Sequence, residues 1–112
     1  MMKLLIVFRQ PAEISRFEDT YNNLLALIER MPHVIRRQVN AVTGSPTGAS
    51  PFYRVLEVYF DGQQQMTDSL RSERGQEAGS ELGKFPAGSF EMLFADVYEE
   101  AGGSTPTAQP GK

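Results

Sequence analysis

Apolar residues fall into two rhythms along this chain. Leu4 to Phe8 form a short unbroken apolar run, the mark of a strand covered on both faces. Pro11 suits the first turn of a helix, where its missing N–H has no partner to lose. From there Ile14, Phe17, Tyr21, Leu24, Ile28 and Met31 recur every three or four residues, with Leu25 and Leu27 widening the stripe. That spacing predicts an amphipathic helix ended by Pro32. Residues 34–42 are rich in β-branched side chains and predict a second strand, and TGSPTGASP (43–51) is loop chemistry. FYRVLEVYF (52–60) is the clearest strand. Strict alternation places Phe52, Arg54, Leu56, Val58 and Phe60 on one face and Tyr53, Val55, Glu57 and Tyr59 on the other. Asp61-Gly62 breaks it. Met66 and Leu70 then mark a short helix, and Ser72 caps a second segment carrying Ala78, Leu82 and Phe85. Gly75, Gly79 and Gly83 weaken that segment, each by up to ~1 kcal/mol against alanine. FEMLFADVY (90–98) predicts the last strand.

The order is β-α-β-β-α-β, a ferredoxin-like α+β domain over residues 1–100. Residues 101–112 carry no aromatic or large aliphatic side chain and are expected to be a disordered tail. In this arrangement helices cover one face of the sheet, so strands facing water on the other should alternate apolar with polar. They do not: Leu93, Ala95 and Val97 oppose Phe90, Met92 and Phe94, and Tyr53, Val55 and Tyr59 oppose Leu56, Val58 and Phe60. The simplest cover is a second copy of the same sheet, so a homodimer with packed sheets is expected. Arg54 and Glu57 interrupt the apolar third strand and each requires a partner or a wet pocket. Ion pairs of Arg54 with Asp96 or Glu91, and of Glu57 with Arg37, would serve. Alternatively one of the charges lines a small cavity among the tyrosines.

Composition narrows the chemistry. With 112 residues, 40% hydrophobic and 22% charged, the chain suits one globular domain. A net charge of -3 without a basic face argues against a nucleic-acid partner. The opening apolar run is too short for a signal peptide, and no run reaches the ~20 residues of a membrane span. A soluble, cytoplasmic protein is the expectation. One histidine and no cysteine leave no spaced ligand set for a transition metal. There is no nucleophile elbow and no phosphate-binding glycine loop ahead of a helix. His33 follows Pro32 and reads as a helix C-terminal residue, whose charged form the helix dipole favours.

The segments KLLIVFRQP, FEDTYNNLLALIERMPHV, GSPTGASPFYRVLEVYF and SERGQEAGSELGKF, in this order, resemble the ethyl tert-butyl ether degradation (EthD) family of the dimeric α+β barrel superfamily. The likeness spans residues 1–100. It implies the same ferredoxin-like protomer, a sheet-to-sheet dimer, and a ligand cavity between helices and sheet. It also implies a role beside the breakdown of small organic compounds. Members of the family carry a Tyr-x-x-x-His-x-Pro-Leu pattern on the first helix, which ends in Leu-Pro-Gly. Here Tyr21 is followed by Asn22-Asn23-Leu24-Leu25, and Met31-Pro32-His33 replaces the ending, so His33 stands where relatives have glycine. An acid/base role of the family's histidine does not transfer. The ligand-binding residues expected are Tyr21, Asn22, Tyr53, Arg54 and Glu57, around a small, mostly apolar organic molecule and without a cofactor. The alternatives are a cofactor-independent oxygenase, isomerase or decarboxylase, in which Arg54 or Glu57 would act, and a non-catalytic assembly module.

Overall fold

The computed structural model describes residues 1–100; the tail expected at 101–112 lies outside the described residues. The elements are β1 (Met2–Arg9), α1 (Ile14–Ile28), β2 (Arg36–Ala41), β3 (Phe52–Phe60), α2 (Gln63–Arg71), α3 (Glu73–Leu82) and β4 (Phe90–Asp96). The strands form one antiparallel sheet in the order β2-β3-β1-β4, as the ferredoxin-like reading requires. The second crossover is two short helices rather than one, and they meet at Ser72. Its hydroxyl accepts from the Gly75 N–H at 3.0 Å, so Ser72 caps α3 as its sequence position predicted.

Side-chain alternation sorts the sheet into two faces. Leu4, Ile6 and Phe8 of β1 and Leu56, Val58 and Phe60 of β3 are buried beneath the helices, against Phe17, Tyr21, Leu24 and Ile28 of α1 and Ala78 and Leu82 of α3. Phe8, fully buried, is the hub of an aromatic layer. Its ring meets Phe17 at 5.3 Å, Tyr21 at 5.6 Å and Phe85 at 5.0 Å between centroids. The other face has no helix over it. Leu5, Val7 and Val55 are half-buried there, and Leu93 lies exposed beside them. The two-sided apolar pattern of the strands is therefore real, and one of its sides is open.

Helix α1 is shorter at both ends than the periodicity suggested. Pro11 precedes it in extended chain, and Glu13 is the N-cap residue. After Ile28 the helix tightens, with Arg30 donating to the Leu27 carbonyl and Met31 to that of Ile28. Met31 stays buried, so the apolar stripe continues past the helix that was read from it. His33, at φ 68°, occupies the left-handed region in the turn that follows. It is exposed and five residues beyond the last residue of α1, so the dipole reading of His33 does not hold. Its backbone explains why glycine fits this position: only glycine enters that region without a Cβ penalty.

The glycines of α3 are not equivalent. A Cβ on Gly75 would lie 2.2 Å from the Ser69 carbonyl oxygen and 2.6 Å from that of Leu70, both backbone atoms, whereas one on Gly79 meets nothing within 4 Å. Gly75 is what lets α3 start hard against the end of α2. Gly75→Ala is expected to destabilise the protein by about 1–3 kcal/mol through overpacking. Gly79→Ala should stabilise it by up to about 1 kcal/mol through helix propensity. Urea midpoints of the two variants should move in opposite directions.

Candidate functional site

Register decides what reaches the space under α1. Phe8 pairs with Arg54, but Arg9 pairs with Phe52, so β3 carries one extra residue at Tyr53. This bulge breaks the alternation that had set Tyr53 and Arg54 on opposite faces. Both now meet the same side chain of α1, Glu18. The Arg54 guanidinium donates from Nη1 to Glu18 Oε1 at 2.8 Å and from Nη2 to Oε2 at 2.9 Å, a bidentate pair, and the Tyr53 hydroxyl donates to Oε2 at 2.9 Å. The expected pairing of Arg54 with Asp96 or Glu91 is thus wrong. Glu91 lies on the open face, opposite Val7, and takes Arg9 at 3.3 Å instead.

Aromatic rings surround the guanidinium. Arg54 Cζ lies 4.6 Å from the Tyr21 ring centroid, 5.0 Å from Tyr53 and 5.4 Å from Phe17. Phe17 in turn stacks on Tyr21 at 5.5 Å and meets Tyr53 edge-on at 5.1 Å. Among the described residues three buried polar side-chain atoms have no hydrogen-bond partner within the protein: the Tyr21 hydroxyl, Arg54 Nε and Ser69 Oγ. Two of the three belong to this cluster.

Protonation states follow from the contacts. The Arg54 hydrogen bonds hold the Glu18 carboxyl below its ordinary 4.5, and the same bonds raise Arg54 further. Burial pushes the Tyr21 phenol up to about 12, and the bond to Glu18 raises Tyr53. No member of the cluster is poised to exchange a proton near neutrality, so it can orient and polarise a bound group but is ill-suited to general acid/base work.

The remaining expected residues lie elsewhere. Asn22 is exposed on α1, away from the buried stripe that carries Tyr21. Glu57 is on the open face, on the opposite side of the sheet from Arg54, and its partner is Lys3 at 2.6 Å rather than Arg37. Arg37 is on the helix side, where it donates to the Leu25 carbonyl and approaches Glu29 at 3.7 Å. Asn40 also donates to Glu57, at 2.8 Å, and the Tyr59 hydroxyl bonds both Gln38 and Glu57. The Lys3 hydrogen bond holds the Glu57 carboxyl below 4.5 and raises the Lys3 amine. No group of three or more His, Cys, Asp or Glu among the described residues is placed to hold a metal ion, and no helix among them is long and apolar enough to cross a membrane.

A cleft of about 310 Å³ opens where the end of β1, the start of α1 and the α3–β4 connection meet. Phe17, Phe85, Pro11 and Pro86 give it an apolar lining, with Arg16 and Thr20 on the α1 side. None of the five expected site residues lines it. Phe17 is the link, since the ring that walls the cleft also packs on Tyr21 and Arg54. Glu18 and the cleft residues are what sequence reading missed. Glu18 had a signal, three residues before Tyr21 and so beside it on the helix. The cleft had none, because its walls come from distant segments.

No protein-family model matches the chain. It is 27% identical over 100 residues to an uncharacterized 11.0 kDa protein in the thcB-thcC intergenic region of Rhodococcus erythropolis, covering 86% of this chain and 94% of that protein. An EthD family protein of Bacillus halodurans superposes with a TM-score of 0.83 at 26% identity, covering 88% of this chain and 99% of the other. A dimeric ferredoxin-like protein of unknown function from Thermobifida fusca superposes with a TM-score of 0.66 at 13% identity, over 86% of this chain and 90% of that one. The EthD resemblance read from the sequence is borne out, together with its ferredoxin-like α+β fold.

The depressed carboxyls predict the acid limb of stability. A group whose folded pKa lies below its unfolded value contributes stability that is complete above the unfolded value and is lost as pH falls through the folded one. For Glu18 and Glu57 the loss therefore begins near pH 4.5 and continues below it. The double variant Glu18→Gln/Glu57→Gln should be less stable at pH 7 and lose less on acidification. Urea midpoints between pH 7 and pH 2.5 check this; parallel curves for the two proteins would refute it.

Proposed function

We propose that this EthD-like protein is a homodimer that binds a small, mostly apolar organic molecule and serves the degradation of organic compounds in an accessory role. The observation that carries the ligand half is the cleft of about 310 Å³ floored by Phe17 and Phe85. Small-molecule sites are concave, mostly apolar and of a few hundred Å³, with a few polar groups to fix orientation. The Glu18, Tyr53 and Arg54 cluster packs behind Phe17, and its fixed protonation favours binding over proton-transfer turnover. General acid/base catalysis by an isomerase or decarboxylase is served best by a group that titrates near neutrality, and neither Glu18 nor Tyr21 is shifted towards it.

The dimer half rests on the open face of the sheet. Leu5, Val7, Val55 and Leu93 form a contiguous apolar strip without a helix over it, and a two-fold copy would cover it. The Thermobifida fusca protein of the same fold is described as dimeric.

Light scattering at micromolar concentration should give twice the 12.5 kDa chain mass. Leu5→Glu, which sets a second carboxylate in the strip directly opposite Glu57, should shift the protein towards monomer by at least about tenfold in dissociation constant. A wild-type monomer would remove the dimer from the proposal. For the ligand, amide NMR titrations with small ethers and alkylbenzenes should produce saturable shifts centred on Phe17 and Phe85. Ala12→Trp, at an exposed position lining the cleft, should weaken them at least about tenfold while the protein stays folded. Titrations that never saturate, for any of these compounds, would overturn the ligand half.

A further inference from the structure

We propose that the Tyr21 hydroxyl and the Arg54 Nε–H form the polar end of the ligand site, and that they take an oxygen acceptor of the organic molecule, with Phe17 as the wall it must pass. The inference rests on the binding reading above and names the ligand's chemistry.

Tyr21 is 2% exposed, yet its hydroxyl has no partner within the protein, and Arg54 Nε beside it has none either. A buried donor left without an acceptor costs about 1–3 kcal/mol, so a pair of them in one place requires a reason. The nearest carboxylate is engaged by other donors. Both Glu18 oxygens already receive an Arg54 Nη–H, and one of them receives Tyr53 as well. With the phenol at about 12 and a permanently charged guanidinium, both groups are present as donors throughout the neutral range. Arg54 Nε–H can only donate and the Tyr21 hydroxyl can donate as well as accept, so an oxygen acceptor, a carbonyl, carboxylate or ether, satisfies both groups, whereas a hydrogen-bond donor would satisfy the hydroxyl alone. An acceptor is also what an apolar ligand must carry if its orientation is to be fixed in an otherwise aromatic enclosure.

One ring separates this pair from the cleft. Phe17 lines the cleft, stacks on Tyr21 at 5.5 Å with 14° between the planes, and lies 5.4 Å from Arg54 Cζ. A ligand seated in the cleft reaches the donors by replacing the contacts of that ring, after which its apolar part remains against Phe85.

The test compares acetophenone with ethylbenzene, which share a phenyl ring and differ in a carbonyl against a methylene. In a nitrogen-15 titration of the full chain, acetophenone should shift the Arg54 Nε–H resonance and bind at least about tenfold more tightly than ethylbenzene, the worth of one hydrogen bond. In Tyr21→Phe that ratio should fall to about twofold, with the melting temperature unchanged or raised because an unpaired hydroxyl has gone. The Arg54 resonance of the wild type decides the matter if the variant does not fold. Equal affinities with a stationary Arg54 resonance would overturn this inference and leave the cleft as a binder, its donors served by resident water. Failure of both compounds to bind would instead overturn the binding reading itself.

Discussion

Arg54 stands on the side of β3 that α1 must cover, and the fold turns on neutralising it. A charge with its side chain 14% exposed is tolerable only with a partner that satisfies its hydrogen bonds. Glu18 provides a bidentate one, and because Glu18 is on α1, the pair also fixes how α1 lies across the sheet. Rotation of the helix by one residue would carry Glu18 off the guanidinium and Phe17 out of the aromatic layer. The pair is therefore better understood as a register device than as a source of net stability. Replacing such pairs with apolar residues is often neutral, whereas removing one partner is not. Around the guanidinium, Phe17, Tyr21 and Tyr53 pack their faces and edges, and of these three rings Phe17 is the one that also lines the cleft.

The bulge at Tyr53 makes this arrangement possible. In a regular strand, neighbours point to opposite faces, and Glu18 could have met Tyr53 or Arg54 but not both. One extra residue between the pairs Phe8–Arg54 and Arg9–Phe52 sends both side chains to the same carboxylate. Bulges are found beside sites because they re-aim a side chain without disturbing the rest of the ladder. Here the ladder beyond it, from Val7–Val55 to Met2–Phe60, keeps regular pairing.

Much of this was legible in the sequence, and the remainder fails for identifiable reasons. Periodicity located β1, α1 and β3 because their apolar residues sit against a continuous core, and the absence of alternation in β3 and β4 correctly announced a second apolar face. The helix boundaries were less legible: Met31 keeps the apolar spacing although its backbone has already left α1, so spacing alone overran the end. The partners of Arg54 and Glu57 were sought on neighbouring strands, by cross-strand logic. Arg54 instead pairs across layers, a relation that no single-strand pattern encodes. The bulge is a matter of register between two strands and leaves no mark in either one. His33 was legible only through resemblance. Its place opposite a glycine is explained by the left-handed backbone, which the sequence reading did not foresee, and the helix dipole account of it was wrong.

The two charges of β3 are disposed of in different ways, and the contrast bears on assembly. Arg54 is answered from the helix layer. Glu57, three residues on and on the other face, is answered by Lys3 and Asn40 within the sheet itself. Neither charge thus depends on a second protomer for its partner. A partner sheet approaching the open face would meet a network already closed by Lys3, Glu57, Asn40, Gln38 and Tyr59, with Arg36 4.0 Å over the Tyr59 ring. It would bury a satisfied group of polar side chains rather than naked ions, which lowers the desolvation cost. Association would then draw on the apolar strip of Leu5, Val7, Val55 and Leu93, while the network, which runs from β2 through Glu57, directly opposite Leu5, to Lys3 of β1, would penalise any register in which it met the partner's strip. On this argument the open face carries its specificity in its charges and its affinity in its aliphatic side chains, and the two are in contact where Glu57 faces Leu5.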